Sequence, residues 1–130
     1  MSEREILFRG KIIELCKYQG QWLEGFFGSD NGKTFITIQN ENGLNGYFCD
    51  SKTVGQYTGL KDKNGTRIFE GDIIKSRAAW YVVEFENGGY GLSPFGKGKL
   101  IPIMGHWNFN GNEVEVIGNI HDNPELLKGE

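Results

Sequence analysis

Apolar residues in this chain recur with a period of two, in short runs separated by polar breaks. Tyr81, Val83 and Phe85 fall on one face of the segment Tyr81–Glu86, with Glu84 and Glu86 on the other. Val114 and Val116 stand opposite Glu113 and Glu115 in the segment Glu113–Ile120. A period of two is the signature of a half-buried antiparallel strand, because successive side chains point to opposite faces of a sheet. Thr34–Gln39, rich in β-branched residues, predicts another strand. Shorter runs predict strands at Glu5–Arg9, Lys11–Lys17, Trp22–Phe27, Gly46–Cys49, Arg67–Phe69 and Asp72–Arg77.

The breaks are as informative as the runs. The dipeptide Asn-Gly occurs six times, at Asn31, Asn42, Asn45, Asn64, Asn87 and Asn110; chance pairing of 11 asparagines with 20 glycines in 130 residues gives fewer than two. Both residues tolerate positive φ, which suits the tight turns that join antiparallel strands. The pattern therefore predicts repeated hairpins and an all-β fold. No window carries a long 3.6-residue stripe. One short helical turn is predicted at Asn123–Lys128, with Asn123 as N-cap, Pro124 at the first helical position, and Leu126 and Leu127 docked on the sheet. No internal repeat is visible. A soft boundary near Asp50–Thr53 separates a glycine-rich hairpin region, residues 1–52, from a more regular region, residues 53–130, within what reads as one compact unit.

Composition narrows the class. Aromatic residues make up 13% of the chain, enough apolar surface to build a core. The formal net charge of -3 and a pI near 5.4 argue against a protein that binds nucleic acid through bulk charge. The polar start Met1–Glu5 lacks the apolar stretch of a secretory signal, and no apolar run nears the ~20 residues of a membrane span. A cytoplasmic protein with reduced thiols at Cys16 and Cys49 is expected.

The segment Val54-Gly55-Gln56-Tyr57-Thr58-Gly59-Leu60-Lys61-Asp62-Lys63-Asn64-Gly65, with Ile68-Phe69-Glu70-Gly71-Asp72-Ile73-Ile74, resembles the signature of the YopX family. Leu7–Lys11 and Trp22–Gly25 are similar to that family's opening strands. Val116–Ile120 with Asn123–Leu127 is similar to its ending. Residues 78–111 match least. The resemblance implies a phage or prophage accessory protein in a bacterial host, with an SH3-like barrel in its carboxy-terminal part. It brings no agreed catalytic residues and no biochemical role. In physical terms, Gly55 and Gly59 allow tight bends at the two ends of a short strand. Lys61–Gly65 has the chemistry of a hairpin turn. Glu70-Gly71-Asp72 predicts a corner in which the Asp72 carboxylate binds nearby backbone N–H groups.

Candidate chemistry is sparse. Cys16, Cys49, His106 and His121 lack the short spacings of a zinc site, so no metal is expected. Nothing marks either cysteine as an activated nucleophile. Glu70 with Asp72, and Glu84 with Glu86, read as turn and solvated-face residues rather than an acid/base pair. Gly88–Gly91 and Gly96–Lys99 match no phosphate loop. No cofactor is expected, and the protein reads as a non-enzyme. The leading expectation is an interaction or self-assembling module whose contacts run through Phe26, Phe27, Trp80 and Trp107. Its partner would be a second copy or a phage or host protein. The alternative is a small barrel that binds single-stranded nucleic acid through Lys61, Lys63, Arg67, Lys75, Arg77, Lys97 and Lys99, with Trp80, Tyr90, Phe95 and Trp107 interleaved as stacking platforms. An enzyme of unrecognised type is the third reading.

Overall fold

The computed structural model describes residues 6–76, 79–86, 89–94, 101–102 and 114–127. Among the described residues the elements are antiparallel strands and two short 3₁₀ turns, and the fold is all-β as the alternation predicts. The chain divides into two compact units, Met1–Tyr57 and Thr58–Glu130.

In the first unit, β1 (Phe8–Lys11), β2 (Trp22–Asp30), β3 (Lys33–Asn40) and β4 (Gly43–Cys49) form a sheet in the order β4-β3-β2-β1. The start of β5 (Gly55–Lys61) pairs with β1 through Phe8↔Gln56 and Arg9↔Gly55. Asn31 and Gly32 close β2 on β3 with φ of 52° and 76°, the double positive φ that a two-residue hairpin requires. At the next hairpin Gly43, not Asn42, takes the positive φ, and Asn42 N–H donates to Asn40 Oδ1 at 2.9 Å. Asn45-Gly46, expected to turn, lies inside β4, where Asn45 pairs with Ile38 and Gly46 with Thr37. The Lys11–Lys17 strand also fails. Ile12 bridges Cys49, after which Gly20 at φ 84° turns the chain back into β2. The buried core is Ile12, Ile36 and Cys49, with Phe8, Leu23, Ile38 and Tyr47 packed against it.

In the second unit, β6 (Arg67–Phe69) lies beside β5. The strands β7 (Asp72–Ser76), β8 (Ala79–Glu86), β9 (Gly89–Pro94), β10 (Ile101–Pro102) and β11 (Val114–Asn119) form a sheet in the order β10-β9-β8-β7-β11. Ile68, Ile74, Val83, Tyr90, Leu92 and Val114 are its core. Val82 is buried as well as Val83, so the second face of β8 is covered and is not a simple solvated glutamate face. Gly59 does bend the chain, at φ 91°, but inside β5; Gly55 has no positive φ and stays in the ladder with β1.

Two buried aspartates organise the corners of this unit. Asp72 Oδ2 accepts from Phe69 N–H at 2.7 Å, as the Glu70-Gly71-Asp72 corner predicts. Asp62 Oδ1 accepts from Asn64 N–H at 2.8 Å and Thr66 N–H at 2.9 Å, and its Oδ2 accepts from Val116 N–H at 2.9 Å. One carboxylate thus closes the β5–β6 turn and ties it to β11. Burial alone would raise the Asp62 pKa. The N–H groups of Val116, Thr66 and Asn64, together with nearby Lys63, outweigh burial and hold it below the usual carboxylate value.

The carboxy-terminal turn is a single 3₁₀ turn, Pro124–Leu127, with Leu126 and Leu127 half-buried. Asn123 does not cap it with its side chain. Its Oδ1 accepts backwards from Asn119 N–H at 3.2 Å and covers Gly118, where a Cβ would lie 2.6 Å away from it.

Asp62→Asn tests this arrangement. Asn keeps one acceptor oxygen but aims an NH₂ at a backbone donor, so the variant loses about 2–3 kcal/mol in urea unfolding at pH 7. The wild-type contribution is fully present above the unfolded carboxylate pKa of about 4 and is lost as pH falls through the lower folded value. The wild type therefore loses stability in that acid window, and the variant shows a flatter profile there.

Candidate interaction surface

Strand register divides the side chains of the first unit between two faces. Phe26 and Phe27 are neighbours in β2 and therefore project oppositely. Phe27 pairs with Ile36 and rests on Phe8 at 5.5 Å between ring centroids. Phe26 pairs with Thr37 on the face away from the core and is 61% exposed. The two rings thus project from opposite faces of the sheet, and Phe27 is itself 47% exposed.

The outer face carries other apolar groups. Phe35 sits between Gly28 of β2 and Phe48 of β4. Its ring covers two glycines: a Cβ on Gly28 would lie 2.6 Å from the ring, and one on Gly46 3.1 Å. An aromatic laid over cross-strand glycines shields backbone that no other side chain covers. Phe48 is partly exposed beside it, with Lys33 Nζ 5.0 Å above its ring, and Leu44 is 66% exposed. Two shallow clefts of about 390 Å³ each flank this group. One, bordered by Phe35, Gly46 and Phe48, opens on the outer face. The other lies beside Ile13, Glu14 and Asp50.

β4 ends the sheet, and its outer edge is only partly covered. Phe48 O accepts from Ile13 N–H at 3.0 Å, and Phe48 N–H donates to Glu14 Oε1 at 2.9 Å. Asp50 N–H donates to Lys11 O at 2.9 Å. Phe48 therefore faces away from β3. The β3–β4 register is unbroken from Thr34↔Cys49 to Asn40↔Gly43, so Gly46 and Leu44 face away from β3 too. Among the described residues nothing bonds their backbone groups. Sequence reasoning missed Phe35, Leu44 and Phe48 because an edge strand is defined by what does not pair with it.

The basic candidates are spread over the second unit. Lys61, Lys63 and Lys75 are exposed and Arg67 is half-buried. Lys75 pairs across β7–β8 with half-buried Trp80 and across β7–β11 with Glu115. Lys63 Nζ is 3.6 Å from Glu115 Oε1. A carboxylate thus stands among the cations. Tyr90 belongs to the core, with the Phe85 ring edge-on at 5.0 Å, so it is not an exposed stacking platform. Arg77, Phe95, Lys97, Lys99, His106 and Trp107 lie outside the described residues.

Cys16 and Cys49 are free thiols. Burial, and secondarily Asp50, raise the Cys49 pKa, which keeps it protonated and unreactive. Among the described residues no three His, Cys, Asp or Glu side chains gather into a metal site, and no helix is long and apolar enough to cross a membrane.

Antiparallel strands throughout, carboxylate-pinned corners and an apolar sheet edge define a small all-β protein whose notable surfaces are strand surfaces. The family described as YopX protein matches residues 8–128, and the chain belongs to that family. One similar solved structure is the crystal structure of protein EF1440 from Enterococcus faecalis, at 25% identity and a TM-score of 0.55, covering 96% of this chain and 99% of that one. No curated protein matches.

Phe35→Ala strips the cover from Gly28 and Gly46 and lowers urea-unfolding stability by about 2–3 kcal/mol, somewhat less than for a fully buried Phe. Phe26→Ser, at an exposed position, changes it by no more than about 0.5 kcal/mol.

Proposed function

We propose that this chain is a non-enzymatic phage or prophage accessory protein that works by protein–protein contact in the bacterial cytoplasm. The observation that carries the reading is the outer face of the first unit, where Phe26, Leu44 and Phe48 are exposed beside an open strand edge. Exposed apolar groups on a sheet whose edge strand is only partly bonded among the described residues suit a protein partner better than a small molecule, since the flanking clefts are shallow. The second unit, on this reading, is the SH3-like barrel that the resemblance implies. Its antiparallel meander β7-β8-β9-β10, with β11 returning beside β7, supports that assignment.

A single-stranded nucleic acid is the second reading, favoured by the cross-strand pair of Lys75 and Trp80. Glu115, paired with the same lysine and close to Lys63, weakens it.

The test uses the full chain. Multi-angle light scattering across concentrations and affinity capture from a bacterium carrying the prophage show self-association or a defined retained protein. Phe26→Asp combined with Phe48→Asp reduces that association at least tenfold with an unchanged circular dichroism spectrum. A strict monomer that retains no protein sinks the reading. Salt-sensitive binding to single strands, abolished by Lys61→Glu with Lys63→Glu, would put the second reading in its place.

A further inference from the structure

We infer that β4 is a homodimerisation strand, pairing antiparallel with β4 of a second copy about a two-fold axis at Asn45. The inference rests on the contact-module reading and names its partner.

Among the described residues, only part of the β4 edge is open. The turn at Glu41-Asn42 bounds it on one side. Ile13 and Glu14, bonded to Phe48, bound it on the other. The open stretch is therefore Gly43–Tyr47, and its midpoint is Asn45. Within it, the outward backbone groups belong to Leu44 and Gly46, which lie symmetrically about that midpoint. An antiparallel pair centred on Asn45 sets Leu44 of each copy opposite Gly46 of the other. Opposed residues of this kind exchange both N–H···O=C bonds, so all the outward groups are satisfied at once. A shift of register either way sets one copy's residues against the other's turn or against the Ile13–Glu14 cover.

The side chains obey the same symmetry. Leu44 and Gly46 both project on the outer face, so each copy's exposed Leu44 lies over the other's glycine, next to the cleft bordered by Phe35 and Phe48. An isologous contact sets residues near the axis against their own copies, which makes any charge there repulsive. β4, GLNGYFC, carries no charged residue. It also carries neither Lys nor Pro, the residues with which edge strands commonly block pairing. The ladder is short, so the dimer belongs with small, concentration-dependent interfaces below about 1,000 Å².

The experiment combines sedimentation equilibrium with register-specific cross-linking of the full chain. The wild type shows a concentration-dependent monomer–dimer equilibrium. Leu44→Lys raises the dissociation constant at least tenfold, with an unchanged circular dichroism spectrum. In a Cys16→Ser background, Asn45→Cys oxidises to a covalent dimer, because residues opposed at a non-hydrogen-bonded position lie about 4.5 Å apart at Cα. Leu44→Cys does not, because its copy lies beyond the roughly 7 Å that a disulfide spans. A monomer at every concentration overturns the inference, and so does a dimer indifferent to Leu44→Lys, or equal cross-linking at both positions. If the monomer still retains another protein, the contact-module reading survives and only the choice of a second copy falls.

Discussion

Peptide N–H and C=O groups must be bonded wherever water is excluded, and in a fold of short strands that requirement decides most of the structure. Helices satisfy it internally, whereas strands satisfy it only through neighbours, so each turn and sheet end needs its own solution. Asp62 and Asp72 supply it in the second unit, each turning a carboxylate onto the N–H groups of a corner. Charge-assisted bonds of this type are stronger than neutral ones, which is why a buried carboxylate can stabilise rather than cost. Thr53, Asn119 and Asn123 do the same on a smaller scale, with side-chain oxygens accepting from Lys11, His121 and Asn119 respectively.

The same constraint produces the candidate surface. Residues 12–14 leave β1 and cap β4 only as far as Phe48, and among the described residues nothing bonds the next outward groups on that strand. Glycines at positions 28 and 46 remove side chains from the outer face, and Phe35 fills the gap they leave. The apolar surface and the open edge are thus two results of one local arrangement. The contact-module reading follows from their coincidence and does not draw on any reactive group.

Much of the fold was legible in the sequence. Alternation located the strands, and three Asn-Gly pairs, at Asn31, Asn42 and Asn64, do fall at turns. Asn45-Gly46 misled because its glycine serves ring packing rather than positive φ. The Lys11–Lys17 run misled because Ile12 is buried as a single bridged residue rather than as part of a strand. The site was far less legible. Phe26 and Phe27 stand out in the sequence as aromatics, although their adjacency in a strand puts them on opposite faces. Phe35, Leu44 and Phe48 gave no signal, since exposure at an edge depends on which distant segment stops short of it. The buried role of Asp62 was equally hidden within an ordinary polar turn.

Native-state amide hydrogen exchange reads this bonding pattern directly, because it reports each backbone N–H separately. At protein concentrations low enough to keep the chain monomeric, Phe69, Thr66 and Val116, whose donors end on carboxylates, are strongly protected. Leu44 and Gly46 exchange near the unprotected rate. Fast exchange at Phe69 and Val116, or protected Leu44 and Gly46 in the monomer, would contradict that pattern.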